Sequence, residues 1–453
     1  MCQRPVAKKI SWQAVREHNK ADNAWIVIHH KVYDISHFDN HPGGAVMLTQ
    51  AGEDATDAFA VFHPSSALKL LEQYYVGDVD ESTAFVDSSL TEAEKQAQSE
   101  FITAYRKLRL EVKRMGLYNA SMMYYLYKSL STLSIALIAA YICFNTESTA
   151  MYMVAACILG LFYQQCGWLA HDFGHQQVFA NHALNDFATM MIGNVWQGFS
   201  CGWWKNKHNT HHAIPNLHTD HDIGYLGDPD IDTMPILAWS FKMAKTVESG
   251  SWGVFFVKNQ AILYFPILLL ARVSWVHQSY KYVFQGVGPA GTYDPLKYPL
   301  VERAGLITYY LWNLALVYFS GMSFLQAISF IWVSQASCGL FLALVFSIGH
   351  NGMAVFDRDE KPDFWKLQVL TTRNVSGSWF IDWFMGGLNY QVDHHLFPMV
   401  PRHHLPALNV LVKSLCKQYA VPYHETGFVD GLVEVVAKLK EISTDFIREF
   451  PAM

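Results

Sequence analysis

The sequence predicts a multi-domain fold class: a small soluble α+β module followed by an all-α integral membrane domain, with four spans in two hairpins plus interfacial helices. Three observations carry this expectation. Of 453 residues, 51% are hydrophobic and only 16% are charged, against about 25% charged in an average soluble chain. Composition changes abruptly near residue 120, after which long stretches hold no charge at all. The 14 Trp, 23 Tyr and 29 Phe supply side chains of the kind enriched where helices leave a bilayer. A net charge of −6 gives no reason to expect nucleic-acid binding. The seven cysteines are an odd number, and Cys143, Cys157, Cys166 and Cys338 lie in apolar stretches. They read as small buried hydrophobes in a reducing setting and not as a disulfide framework. The opening M-C-Q-R-P-V-A-K-K has no apolar core like that of a signal peptide, so the N-terminus is expected to stay in the cytosol.

Residues 6–80 alternate short β-like runs, such as W-I-V-I at Trp25–Ile28, with turn residues and helical patches. Residues 81–100 are polar and acidic and read as a linker, and 101–453 as the membrane domain. That domain opens with a basic helical segment containing Arg106, Lys107, Arg109, Lys113 and Arg114. Ser129–Thr146 and Ser148–His171 carry no charge, and only Glu147 separates them. A bilayer core of about 30 Å needs about 20 helical residues, so spans are expected near 126–146 and 148–170. Ala304–Gly349 is uncharged too, with F-S-G-M-S at Phe319–Ser323 as its turn, giving spans near 304–320 and 323–349. The basic segment favours the cytosol, which puts both ends of each hairpin there. Phe187–Phe199 has polar interruptions and Asn259–Ala271 is short and holds Pro266, so both read as interfacial or re-entrant.

The chemistry is in the histidines. In the soluble module, S-H-F-D-N leads into His41-Pro42-Gly43-Gly44, and His63 follows in A-V-F-H-P beside Phe59 and Phe62. Pro and paired Gly permit a tight loop close to a flat ligand, and two neutral imidazoles with an apolar lining suit bis-histidine haem ligation. In the membrane domain H-D-F-G-H supplies His171 and His175, H-N-T-H-H supplies His208, His211 and His212, and Q-V-D-H-H supplies Gln391, His394 and His395. Residues at i, i+3 and i+4 share a helix face, so each cluster can aim several imidazoles at one point. His350 ends the fourth expected span in S-I-G-H-N. All of these fall on one side of the membrane, at or just beyond span ends, and such residues in a membrane protein mark function. Imidazoles without matching cysteines favour a nitrogen-ligated metal pair, with iron the usual choice for oxygen activation. His182, His218, His221, His277, His403, His404 and His424 lack this pattern and read as surface or hydrogen-bonded histidines.

W-I-V-I-H-H-K-V-Y-D-I-S-H-F-D-N-H-P-G-G, D-A-T-D-A-F, F-H and Y-Y-V-G-D together resemble the cytochrome b5 haem-binding domain. The resemblance implies haem b held by His41 and His63, and one-electron transfer. Glu53, Asp54 and Asp57 then form either an acidic rim open to a basic reductase or simply a solvated helix face. The three histidine boxes behind such a domain resemble the membrane fatty acid desaturases over nearly the whole chain. The likeness is closest to the front-end branch, whose third box begins with glutamine, as in W-F-I-D-W-F-M-G-G-L-N-Y-Q-V-D-H-H-L-F-P. An amide oxygen can stand in there for one imidazole.

Within that branch the run looks like the acyl Δ6 desaturases of oomycetes and related lower eukaryotes. The resemblance implies two non-haem iron ions held by the boxes with His350 as an added ligand. It also implies electrons from NADH through a cytochrome b5 reductase, O2 as oxidant, and an acyl-phospholipid or acyl-CoA substrate among membrane lipids. The implied setting is the endoplasmic reticulum membrane, multi-pass, with both termini and the active site cytosolic. Lys205 and Lys207, in K-N-K-H-N-T-H-H, are placed to anchor a head group. The competing expectations are a Δ5, Δ4 or sphingoid Δ8 desaturase, a lipid hydroxylase, or a membrane-anchored electron carrier.

Overall fold

The computed structural model describes residues 8–38, 41–83, 91–219, 227–288 and 296–453; His221 and part of the expected linker lie outside them. Five strands form the soluble module's sheet: β1 (Lys9–Ser11), β2 (Asn19–Lys20), β3 (Asn23–Ile28), β4 (Lys31–Asp34) and β5 (Tyr75–Asp80). Their order is β1-β5-β4-β3-β2, with β1 parallel to β5 and the other pairs antiparallel. β3 and β4 meet through His29 and His30, both at positive φ (50° and 63°), as a two-residue turn matched to strand twist requires. β3 is buried on both faces: Ala24, Ile26 and Ile28 pack with Ile35, Ala51 and Leu71, while Val27 packs with Ile10, Val15 and Val32. Helix α1 (Trp12–Glu17) covers the second face, capped where Ser11 accepts from the Ala14 N–H at 3.2 Å. Helices α2 (Thr56–Phe62) and α3 (Leu68–Leu71) stand on the other.

The acidic stretch expected as linker to residue 100 is helical from Glu92, because α4 (Glu92–Arg114) starts with a capping box. The Glu94 N–H donates to the Thr91 hydroxyl at 3.3 Å, and Glu94 accepts from the Thr91 N–H at 2.7 Å. Then come α5 (Met122–Phe144) and α6 (Thr149–Gly174), the first expected hairpin, and α12 (Pro299–Phe319) and α13 (Phe324–His350), the second. Between the hairpins lie α7 (His182–Met190), α8 (Cys201–Ala213), α9 (Phe241–Lys245), α10 (Trp252–Leu268) and α11 (Ala271–Tyr280). After them come α14 (Phe364–Leu370), α15 (Trp379–Phe384), α16 (Gln391–Leu396), α17 (Leu405–Gln418) and α18 (Phe428–Glu449).

Among the described residues α5, α6 and α13 are long and apolar enough to cross a bilayer. The third expected span forms as α12, but Glu302 and Arg303 in its first turn and its Tyr, Trp and Asn residues leave it less apolar. α10, with Pro266 inside it, meets the helical stretch Ala271–Gln285 at a 73° bend, a broken span or re-entrant loop in place of a straight crossing. α7 runs on as a π-helical turn, Met191–Gln197, that ends at Gly198. α6 and α13 form the central helix pair. A Cβ at Gly160 would lie 2.7 Å from the Ser337 Cβ, so its absence lets these two backbones close together. Of the cysteines described, all are free, and Cys143, Cys166, Cys201, Cys338 and Cys416 are buried.

Candidate metal centre and haem site

His63 follows the last turn of α2, its ring stacked on Phe59 with centroids 4.5 Å apart. Its Nδ1 faces the Phe59 carbonyl at 3.0 Å, and His41 Nδ1 faces the Gly44 carbonyl at 3.2 Å. A proton on each Nδ1 donates to these carbonyls and leaves both Nε2 lone pairs free. The two Nε2 atoms face each other at 3.5 Å. Burial pushes His41 down to about 4, helped by His63, and burial lowers His63 too, so both rings stay neutral near pH 7. Two neutral, oriented, opposed imidazoles in an apolar slot fit axial ligation of haem iron.

In the membrane domain α6 and α13 run the same way and end together. α6 carries His171 in its last turn and is capped by His175, while α13 ends on His350. α8 brings His208, His211 and His212, and α16 brings Gln391, His394 and His395. Every one of these side chains is buried. The rings sort into two adjoining groups. His171, His175, His208, His212 and His394 offer nitrogens within 4.8 Å of one another, and so do His211, His350 and His395. The groups touch where His212 stacks on His395, centroids 4.1 Å apart. The second box is thereby divided: His208 and His212, one helical turn apart, face the first group, and His211 faces the second.

His212 Nε2 lies 3.1 Å from both His208 Nε2 and His394 Nε2, and His211 Nε2 lies 3.2 Å from His350 Nε2. Neutral imidazoles have one proton each, so these close nitrogens cannot all be paired as donor and acceptor. Buried His171 Nε2, His175 Nε2 and His395 Nε2 have no hydrogen-bond partner. Orphaned buried nitrogens are costly, and cations held between them would satisfy them. Gln391 reaches the second group, its amide 2.7 Å from His350 Nε2, and turning the amide presents its oxygen at that spot. Gly349 leaves room for this, since a Cβ there would lie 3.1 Å from Gln391 Cγ. Burial and the neighbouring imidazoles hold His175, His208, His212 and His395 well below the usual range, and His394 at about 3. Neutral rings are the form that binds metal. His211 differs: burial lowers it, but Asp228 and Asp230 outweigh that and raise it.

Residues outside the histidine motifs orient the rings. Asp228, buried, accepts from His211 Nδ1 at 2.9 Å, and the Gln368 amide oxygen accepts from His395 Nδ1 at 2.8 Å. The Thr371 carbonyl lies 3.2 Å from His350 Nδ1. Each contact takes up Nδ1 and turns Nε2 inward, the arrangement that fixes metal-ligating histidines. Trp204 stacks on His208 at 4.5 Å, in space left by Gly174, where a Cβ would lie 2.2 Å from the indole. Under the third box, Asp393 accepts from Asn374 at 2.7 Å and Asn409 at 2.8 Å. Nothing in the sequence marks Asn374, Asn409, Gln368 or Asp228 for these roles, since none stands at a telling spacing from a box.

Lys205 and Lys207 do not stand as free cations. Lys205 pairs with Asp186, and Lys207 pairs with Asp230 at 3.1 Å and donates to the Pro229 carbonyl at 2.8 Å. Lys205 and Lys207, expected to anchor a head group, are thus each paired with a nearby carboxylate. His218 pairs with Asp357 at 3.0 Å and His424 with Glu434 at 2.8 Å, consistent with hydrogen-bonded roles.

The chain matches the fatty acid desaturase family over residues 148–427 and the cytochrome b5-like haem/steroid binding domain over residues 11–80. It is 36% identical over 432 residues to an acyl-lipid (9-3)-desaturase of Physcomitrium patens, covering 95% of this chain and 77% of that one. It is 34% identical to the delta(6)-fatty-acid desaturase fat-3 of Caenorhabditis elegans, covering 94% of this chain and 96% of the relative. A delta(8)-fatty-acid desaturase of Helianthus annuus is 32% identical over 96% of this chain and 91% of its own length. With buried histidine clusters at the ends of apolar helices and a cytochrome b5-like module in front of them, this chain belongs to the fatty acid desaturase family.

Proposed function

We propose that the protein is a front-end acyl desaturase that inserts a Δ6 cis double bond into 18-carbon polyunsaturated chains. In this reading His41 and His63 hold haem b. His171, His175, His208, His212 and His394 with His211, His350, His395 and Gln391 hold two non-haem irons. The observation that carries it is the convergence of eight buried imidazoles, several with unpartnered nitrogens, on one end of α6 and α13. When bound, the iron pair supplies reductive activation of O2 and removal of two hydrogens from adjacent methylenes. The chain's own residues hold His175, His208, His212, His394 and His395 neutral, fix the Nε2 atoms of His211, His395 and His350 inward through Asp228, Gln368 and Thr371, and keep bulk water out by burial.

Electrons enter from NADH through a cytochrome b5 reductase. The membrane is that of the endoplasmic reticulum, with both termini and the iron pair on the cytosolic side. The basic run of α4 precedes α5, and α6 returns to the same side, which supports that orientation. The Δ6 assignment draws on the front-end form of the third box and on fat-3, named as a delta(6) enzyme. A Δ8 product is the second reading, favoured by the Helianthus relative at nearly the same identity. Yeast expressing the protein and fed linoleic or α-linolenic acid decides between them. A new double bond at carbon 6 supports the proposal, and one at carbon 5, 4 or 8 overturns the regiochemistry. A long-chain base unsaturated at carbon 8 moves the substrate to sphingolipid.

A further inference from the structure

The soluble module lies against the membrane domain on the side that carries its two histidines. Val61 of α2 joins the apolar cluster of Phe101, Tyr105 and Leu108 from α4 and Trp365 from α14. Charge surrounds this apolar centre. Asp57 accepts two bonds from Arg106, both 2.8 Å, and Glu53 pairs with Lys361 at 2.5 Å. The Ala51 carbonyl accepts from Arg358 at 2.9 Å and the Ala60 carbonyl from Arg109. Two carboxylates of the expected acidic rim are thus engaged by cations of this same chain, not left open to a reductase. In the middle of the contact is Phe62. Its ring stands edge-on to His212, centroids 6.3 Å apart at 81°, with Phe364 at 6.3 Å beside it. Phe62 is also the chain neighbour of His63.

We propose that Phe62 is a positioning residue for electron delivery: docking through Arg106, Arg109, Arg358 and Lys361 sets its ring as the bridge from the haem ligand His63 to the iron ligand His212. This rests on the ligand assignment proposed above. The path is covalent from the His63 imidazole to the Phe62 ring and then crosses a single gap to His212. One electron leaves the ferrous haem, which becomes ferric, and reduces one ferric ion of the pair to ferrous. Two such transfers supply the two electrons that, with two protons, turn O2 into two waters as the acyl chain loses two hydrogens. The haem is reduced again by a pyridine-nucleotide-linked flavoprotein. A small apolar centre with an ionic rim suits such a contact, since electron-transfer interfaces are small and the covalent link to the module raises its effective concentration.

The test uses the full-length protein with haem and iron in place, free of oxygen. The haem is reduced with dithionite and its return to the ferric state is followed by stopped-flow absorbance, with no acyl turnover required. Phe62→Ala is expected to slow that step by about tenfold or more, with haem spectrum and iron content unchanged, while Phe62→Tyr stays close to wild type. Phe62→Leu, which keeps most of the bulk, reads the same contrast if the alanine variant sheds haem. Reduced methyl viologen, a small one-electron donor that reaches the irons without the haem, restores product formation in Phe62→Ala if only delivery is lost. Re-oxidation at the wild-type rate in Phe62→Ala overturns the proposal, as does a failure of methyl viologen to rescue it. Wild-type haem that re-oxidises just as fast in protein stripped of its non-haem iron refutes the metal assignment itself, a separate outcome.

Discussion

Asp228 is the sharpest place to test how the proposed iron pair would be held. Its carboxylate is fully buried and takes three N–H donors: His211 Nδ1 at 2.9 Å, the Asn216 backbone at 2.7 Å and the Asp230 backbone at 2.9 Å. Asp228→Ala removes all three acceptors. An orphaned buried donor costs about 1–3 kcal/mol, so roughly 3–9 kcal/mol is at stake if solvent does not enter to replace the carboxylate. Function suffers as well, because His211 is then free to carry its proton on Nε2, the atom that faces His350. Loss of such an orienting carboxylate costs about 10–100-fold in metal affinity or activity. Asp228→Asn keeps one acceptor oxygen and falls between wild type and alanine. The assay is the ratio of non-haem iron to haem after dialysis against graded chelator, with product formation measured alongside. An Asp228→Ala protein that retains its iron and turns over like wild type refutes the orienting role.

The other predictions are these. His41→Ala or His63→Ala removes the low-spin haem spectrum and stops NADH-driven turnover, while the iron content of the membrane domain is unchanged. Gln391→Ile, which offers no donor atom next to His350, loses nearly all activity, and Gln391→His keeps a part of it; wild-type rates with Ile show that the amide serves only as a spacer. Gly174→Ala drives a methyl group into Trp204 and off-sets its stack on His208, costing about 1–3 kcal/mol by overpacking. A lowered thermal midpoint together with lost activity checks that prediction.

Much of this site was legible because its parts are local. The slot between His41 and His63 lies within one small module, and i, i+3, i+4 spacing on a short helix announces a shared face without any tertiary information. The uncharged runs gave the four long helices to within a few residues. What spacing does not show is how the boxes divide. His211 leaves His208 and His212 because three residues turn a helix about 300° and four turn it about 400°, but which partner waits on each side depends on how α6, α8, α13 and α16 pack. Asp228 and Gln368 are ordinary polar residues in sequence, and only burial against a particular ring gives them a role. The T-E-A-E capping box at Thr91–Glu94 was a readable signal that acidic composition masked. The pairing of Lys205 and Lys207 with Asp186 and Asp230 joins residues 19 and 23 positions apart, so a basic run in sequence became a neutralised one in space.

The central claim is that the buried imidazoles hold two irons served by the module's haem. Its most direct test is iron analysis of the purified full-length protein, with haem measured separately as its pyridine complex. The account predicts two non-haem irons for every haem, lost together in His175→Ala and His394→Ala with the haem unchanged. Haem iron alone, at full occupancy in active protein, contradicts it.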